Sequence, residues 1–232
     1  MKIALLGYGR MGQAIEKIAV ERGHEIVIKK DVEPLSEDLG IADVAIDFSH
    51  PTAAFDNIKS CISKGVPVVS GTTGWLDQYD EIVSYCKTKD GSFIYASNFS
   101  IGVNLFFNLN EYLAKLMNQV GEYDVSMQET HHKHKLDAPS GTAITLANDV
   151  IANSDKNKWS ISDPQNKELF IDVKREGEVP GTHKIAYTST VDSIEIKHTA
   201  FNRTGFALGA VVAAEWLKDK KGIFKMKDVL NL

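Results

Sequence analysis

Short apolar runs alternate with amphipathic stretches through the first hundred residues. "KIALLG" (2–7), "EIVIK" (25–29), "ADVAIDF" (42–48), "PVVSG" (67–71) and "SFIYAS" (92–97) are rich in valine and isoleucine and mostly lack polar alternation. That pattern predicts strands buried on both faces, as in a parallel sheet. Between them, "RMGQAIEKIAVERG" (10–23) sets Met11, Ala14, Ile15, Ile18 and Ala19 at helical spacing, with Gly23 placed to end the helix. "SHPTAAFDNIKSCISKG" (49–65) offers Ser49 or His50 as cap, Pro51 near the first helical position and Gly65 as stop. "WLDQYDEIVSYCKTKDG" (75–91) repeats the pattern. This rhythm predicts right-handed βαβ units in a doubly wound parallel sheet. "KDVEPLSEDLG" (30–40) leaves little room for a crossover helix between the second and third strands.

After Asn98 the texture changes. The pattern predicts a long helix over 102–119, a strand over 123–130, a helix from Ser140 to near Asn153, a polar loop over 154–181, and strands near 183–190 and 193–199. These elements describe a central α+β domain with an open, mostly exposed mixed sheet. The apolar helix "GFALGAVVAAEWLKD" (205–219) is expected to return to the first domain.

With 232 residues, 43% of them hydrophobic, the chain can bury a sizeable core in one large domain or two modest ones. The N-terminal apolar run is five residues, shorter than the roughly 7–15 of a secretory signal, and no run approaches the roughly 20 of a membrane span. A net charge of -5 argues against nucleic acid as the main partner. Cys61 and Cys86 have no motif spacing and read as unreactive thiols of a cytoplasmic protein.

Candidate chemistry enters at two places. The first strand runs into Gly7, Tyr8, Gly9, Arg10, Met11 and Gly12, followed at once by a helix. Strand, turn and helix in that order make the glycine motif a dinucleotide fingerprint of the Rossmann type. The first glycine permits the turn, the second lets a pyrophosphate approach, and the third lets helix and strand pack closely. Where the ribose is read, Lys29, Lys30 and Asp31 offer both charges, so NAD and NADP both stay open. Two later strand ends, Gly71, Thr72 and Thr73 in "SGTTG" and Ala96, Ser97, Asn98 and Phe99 in "ASNFSIGVN", are placed to meet the nicotinamide end.

The second place is "HHKHKLDAPSGTA" (131–143), where three histidines and two lysines fall within five residues. Pro139 stops the preceding segment and Ser140, Gly141 and Thr142 open a helix. A loop ending at a helix N-terminus gathers imidazoles, ammoniums and N–H donors, which suits a carboxylate and a proton transfer. A solvated charge run is the bland alternative. The lysines would repel a metal ion, so none is expected, and His134 is the histidine expected to be packed structurally.

"GYGRMG", "DFSHP", "GTTG", "SNFSIGVN", "HHKHKLDAPSGTA", "REGEVPGTH" and the closing "GIFKMKDVLNL" together resemble, in order and nearly end to end, the dihydrodipicolinate (4-hydroxy-tetrahydrodipicolinate) reductase family. The resemblance implies NADH- or NADPH-dependent reduction, on the diaminopimelate route to lysine, of a cyclic unsaturated imine bearing two carboxylates. It implies His131 as general acid, Lys135 as second donor, and His132, Ser140, Gly141 and Thr142 as the carboxylate grip. It further implies a dinucleotide-binding domain of 1–99 and 204–232, a substrate-binding domain of 100–203 whose sheet builds a homotetramer, and closure of hinged domains over the substrate. The glycine turn, the segment after the second strand and the loop around "YTSTVDSI" are shorter than the family often has. Competing functions are another reductase of an amino-acid-like substrate and a non-catalytic, nicotinamide-responsive binding protein.

Overall fold

The computed structural model describes residues 1–31, 38–202 and 204–232. In chain order the elements begin with β1 (Lys2–Leu6), α1 (Arg10–Glu21), β2 (Glu25–Lys30), β3 (Val44–Asp47), α2 (Pro51–Ser63), β4 (Val68–Ser70), α3 (Tyr79–Thr88) and β5 (Ser92–Tyr95). Then come α4 (Ile101–Met117), β6 (Asp124–His131), α5 (Gly141–Ala152), β7 (Lys158–Ser160), β8 (Glu168–Arg175), β9 (Gly181–Thr188) and β10 (Ser193–Ala200). The chain closes with α6 (Thr204–Leu217), β11 (Gly222–Phe224) and α7 (Met226–Leu230). It divides into two compact units, Met1–Ile101 with Thr204–Leu232, and Gly102–Arg203.

The first unit is a six-stranded parallel sheet in the order β11-β5-β4-β3-β1-β2. Strand alternation sends Ile3, Leu5, Ile46, Val69 and Ile94 to one face, against Ile15 and Ala19 of α1 and Ala207, Ala210, Val211 and Ala214 of α6. The other face presents Ala4, Leu6, Ala45, Val68 and Phe93 to Ala54, Ile58 and Ile62 of α2 and Ile82 of α3. Each fully buried Ile, Leu, Val or Phe contributes about 1.5–3 kcal/mol, so covering both faces is what the unalternating strand sequences require. The apolar α6 belongs to this unit, and β11 and α7 follow it. Between β2 and β3 a 3-10 turn, Leu39–Ile41, precedes β3; positions 32–37 of the short segment singled out from sequence lie outside the described residues.

The second unit is a mixed five-stranded sheet, β10-β9-β6-β8-β7, with β6 antiparallel to β9 and parallel to β8. Val125, Met127, Leu169, Ile171, Ile185 and Tyr187 form its buried face, against Phe106 of α4 and Leu146, Ala147 and Val150 of α5. The polar loop expected over 154–181 instead carries β7 and β8. Leu169, Ile171 and Val173 do alternate there, but within a stretch otherwise so polar that the period is easily missed. Among the described residues, no helix is long and apolar enough to cross a membrane.

Candidate active site

The turn after β1 shows what its glycines are for. Gly7 has φ +96°, and a Cβ there would lie 2.1 Å from the Phe48 carbonyl oxygen; a Cβ on Gly12 would lie 2.2 Å from that of Gly7. At Gly9, by contrast, a Cβ would meet nothing within 4 Å, and Gly9 is the N-cap of α1 with no side-chain cap. The helix therefore presents backbone N–H groups to an open cradle, which fits a pyrophosphate. Met11, Gly71, Thr72 and Thr73 line, with Phe48, Ser49 and Pro51, an adjoining cavity of about 210 Å³.

Several side chains expected at the cofactor are committed elsewhere. The Tyr8 hydroxyl donates to Glu16, whose other oxygen is 2.6 Å from Lys29 Nζ. Arg10 is exposed at the mouth of the turn. Lys30 Nζ donates to Asn57 Oδ1 at 2.5 Å. Thr72 Oγ1 donates to Asp47 Oδ2 and accepts from the Ser49 N–H, both at 2.8 Å. Beyond β5, Ala96 is half-buried and Ser97 exposed, and Asn98 Oδ1 accepts from the Ser100 N–H at 2.9 Å. The Phe99 side chain is core, tilted against Phe48, so a cofactor could meet only its backbone. Asp47, at the end of β3, is fully buried and accepts from Ser49, Asn57, Ser70 and Thr72. It welds the ends of β3 and β4 to α2. Cys61 and Cys86 are buried free thiols whose burial pushes them up, so neither is a nucleophile at neutral pH.

In the second unit, β6 delivers His131 and α5 starts at the Ser140 N-cap, whose Oγ accepts from the Ala143 N–H at 3.2 Å. The loop between them is stapled by Arg175 of β8: Nε donates to the Lys135 carbonyl at 3.3 Å and Nη2 to the Asp137 carbonyl at 2.6 Å. Lys135 Nζ lies 2.7 Å from Asp137 Oδ1, and Thr142 sits half-buried in the first turn of α5 beside Gly141. His132 is half-buried. His134, expected to be packed, is exposed, and the packed histidine is His131. The reason is strand alternation: Val125, Met127, Glu129 and His131 share the inward face of β6, whereas His134 lies three residues beyond the strand.

Glu129 is fully buried beneath this loop. Its Oε2 accepts from the Ser140 N–H at 3.0 Å, and its Oε1 accepts from Arg175 Nη2 at 3.2 Å. His131 Nδ1 is 3.6 Å and His183 Nε2 3.7 Å from Oε2, and His183 Nε2 is 3.1 Å from Ser140 Oγ. Burial would raise the Glu129 carboxyl, but the His183 ring beside it and the hydrogen bond from Ser140 outweigh that and hold the group at about 2. Burial also drives His131 down, to about 4, with Glu129 pulling against it and His183, Lys135 and Arg175 reinforcing it. Glu129, His131 and His183 offer ligand atoms within 4.8 Å of one another, a carboxylate-histidine cluster the sequence did not reveal. The Arg175 guanidinium on that carboxylate, with Lys135 nearby, adds positive charge that opposes a divalent cation there.

Glu129, Arg175 and His183 were not singled out from sequence. A carboxylate two residues before His131, at an inward strand position, was the legible sign for Glu129. Arg175 and His183 lie well beyond the loop in sequence and reach it only through sheet pairing.

A glycine turn at the head of a helix on a parallel sheet, open at Gly9, is the arrangement of a nicotinamide-dependent oxidoreductase. Residues 102–230 match the family model described as dihydrodipicolinate reductase, C-terminus, and residues 17–99 that of the N-terminus. The chain belongs to this family. It is 57% identical over 234 residues to a 4-hydroxy-tetrahydrodipicolinate reductase from Christiangramia forsetii, covering 100% of this chain and 98% of the relative. It is 35% identical to the enzyme of that name from Archaeoglobus fulgidus, covering 100% of both. Among solved structures, a dipicolinate-bound dihydrodipicolinate reductase from a Paenisporosarcina species shares the fold, with a TM-score of 0.77, 23% identity and 97% of each chain covered.

Proposed function

We propose that this chain is a 4-hydroxy-tetrahydrodipicolinate reductase acting in lysine and diaminopimelate biosynthesis. The observation that carries the reading is the meeting of His131, Lys135 and the α5 N-terminus in one stapled loop. Residues 1–99 with 204–232 serve as the dinucleotide-binding domain and 100–203 as the substrate domain. The cradle around Gly7, Gly9 and Gly12 holds the pyrophosphate, with Gly71, Thr73 and the backbone of 96–99 toward the nicotinamide. Bound NADH or NADPH supplies a hydride to the substrate ring.

This chain's own residues grip and protonate. The N–H groups of Gly141 and Thr142, with Ser140 and His132, hold one substrate carboxylate at the positive end of α5. Lys135 stabilises the charge that develops as the ring is reduced, exchanging Asp137 for substrate. His131 donates the proton.

Homotetramer formation in the cytoplasm completes the proposal. Its support is the exposed stripe Leu105, Leu109, Tyr112 and Leu116 along α4, at helical spacing, together with Ile194 on the largely exposed strand β10. Light scattering should give a mass near four chains.

The activity is tested by following NADH and NADPH oxidation with substrate generated in place from pyruvate and aspartate semialdehyde by the preceding synthase. Rapid substrate-dependent oxidation is expected. No oxidation with either cofactor, from folded protein that binds both, would reject the reading.

A further inference from the structure

A general acid must carry its proton when the substrate is in place, yet the surroundings of His131 oppose this. Burial works against the imidazolium, and so do His183 from β9, Lys135 from the loop and Arg175 from β8. Glu129, two residues earlier on the same strand face, is the group that pulls a proton onto the ring. Its Oε2 lies 3.6 Å from His131 Nδ1, a buried nitrogen with no hydrogen-bond partner among the described residues. A proton on Nδ1 is therefore favoured by the carboxylate, which leaves Nε2 as the atom that donates. The opposite side of the ring agrees: a Cβ on Gly181 would come within 3.1 Å of Nε2, so a glycine there keeps that nitrogen uncrowded.

Glu129 is well prepared for such a role. Arg175 holds Oε1 and the Ser140 N–H holds Oε2, so the carboxylate is fixed in orientation and remains ionised. The same oxygen is claimed from the other side. His183, opposite Glu129 in the β6–β9 ladder, brings Nε2 to 3.7 Å. Two imidazoles thus flank one carboxylate oxygen.

We infer that Glu129 is the counter-charge that allows His131 to carry the proton it delivers, and that His183, competing for the same carboxylate oxygen, sets the pH above which the acid is lost. The inference rests on the reductase reading. His131 is the catalytic residue, and Glu129 and His183 are positioning residues that act through it. The imidazolium gives one proton from Nε2 to the anion left by hydride addition and becomes neutral imidazole. Glu129 stays ionised throughout, and solvent returns the proton after product leaves.

The two residues should act with opposite sign, which a merely structural role would not produce. The test is an NMR titration of the His131 ring in ¹³C-histidine-labelled full-length protein, with and without pyridine-2,6-dicarboxylate as a dianion that cannot be reduced. Glu129→Gln should lower the His131 midpoint by at least one pH unit, about a tenfold loss of proton affinity. His183→Gln should raise it. The alkaline limb of kcat should move in the same two directions while KM for the cofactor stays within about twofold. Glu129→Asp, which keeps the charge, should restore most of the midpoint; if Glu129→Gln does not fold, His183→Gln carries the test, and a midpoint it fails to raise would overturn the inference. A midpoint indifferent to Glu129, or moved the same way by both residues, would overturn the inference. Wild-type protein that oxidises neither cofactor would sink the reductase reading instead, and the NMR midpoints would still decide whether Glu129 and His183 govern the His131 proton.

Discussion

Asp47 in the first unit and Glu129 in the second are both fully buried carboxylates on strands, yet they are solvated by different chemistry. Asp47 accepts from two serines, a threonine and an asparagine, and Lys30 is linked to it through Asn57. Glu129 is met by a guanidinium, two imidazoles and one backbone N–H. Their titration moves apart accordingly. Burial pushes Asp47 up against the pull of its four neutral donors, whereas the partners of Glu129 overcome burial and hold it low. Neutral donors fix a shape, here the ends of β3 and β4 against α2. Titratable partners make a place where a proton can be held and released.

The comparison breaks most visibly if Asp47 is removed. Asp47→Ala leaves four buried or half-buried donors without their acceptor, and should destabilise the first unit by about 3–4 kcal/mol in urea unfolding. Acid offers the next largest contrast. His131 and Glu129 both titrate lower folded than unfolded, so their stabilisation is complete above about pH 6.5 and is lost as pH falls, from about 6.5 to 4 for His131 and 4.5 to 2 for Glu129. Asp47 is raised, so its term runs the other way, present at low pH and lost as pH rises through its folded value. Unfolding followed between pH 7 and 4 should therefore weaken the second unit, read at Trp159, by about 2–3 kcal/mol more than the first, read at Trp75 and Trp216.

Arg175→Met, which unstaples the loop but leaves the cradle intact, should raise KM for the substrate roughly 10–50-fold, the worth of its charge-assisted hydrogen bonds. The dissociation constant for NADPH, measured by fluorescence, should not change. The smallest effect belongs to Lys30. Lys30→Ala should raise KM for NADPH about threefold more than KM for NADH, because the amine must leave Asn57 before it can meet a 2′-phosphate. Equal changes would remove Lys30 from that contact.

The two units also differ in how much of them the sequence discloses. In the first, strands, caps and glycines act within one βα step, so local periodicity carries the reading as far as the Gly9 cradle. What it hides is the Asp47 network, which draws on residues from position 30 to position 72. In the second, the loop from His131 to Thr142 is contiguous and legible, while its support comes from β8 and β9. Leu169, Ile171 and Val173 are too sparse among polar neighbours to advertise a strand, and without that strand Arg175 has no reason to lie beside His131. The expected strand, 123–130, stops one residue short of β6, which leaves His131 in the loop with His134 and removes the alternation that marks His131 as the packed ring.

The division of labour between the units is tested most directly by turnover of His131→Gln with saturating cofactor and substrate. The account expects kcat to fall about 10²–10⁴-fold, the contribution of a general acid, with cofactor affinity and unfolding midpoint at wild-type values. Near-normal kcat in that variant would show that the proton comes from elsewhere, and would contradict the assignment of proton chemistry to the second unit's buried histidine.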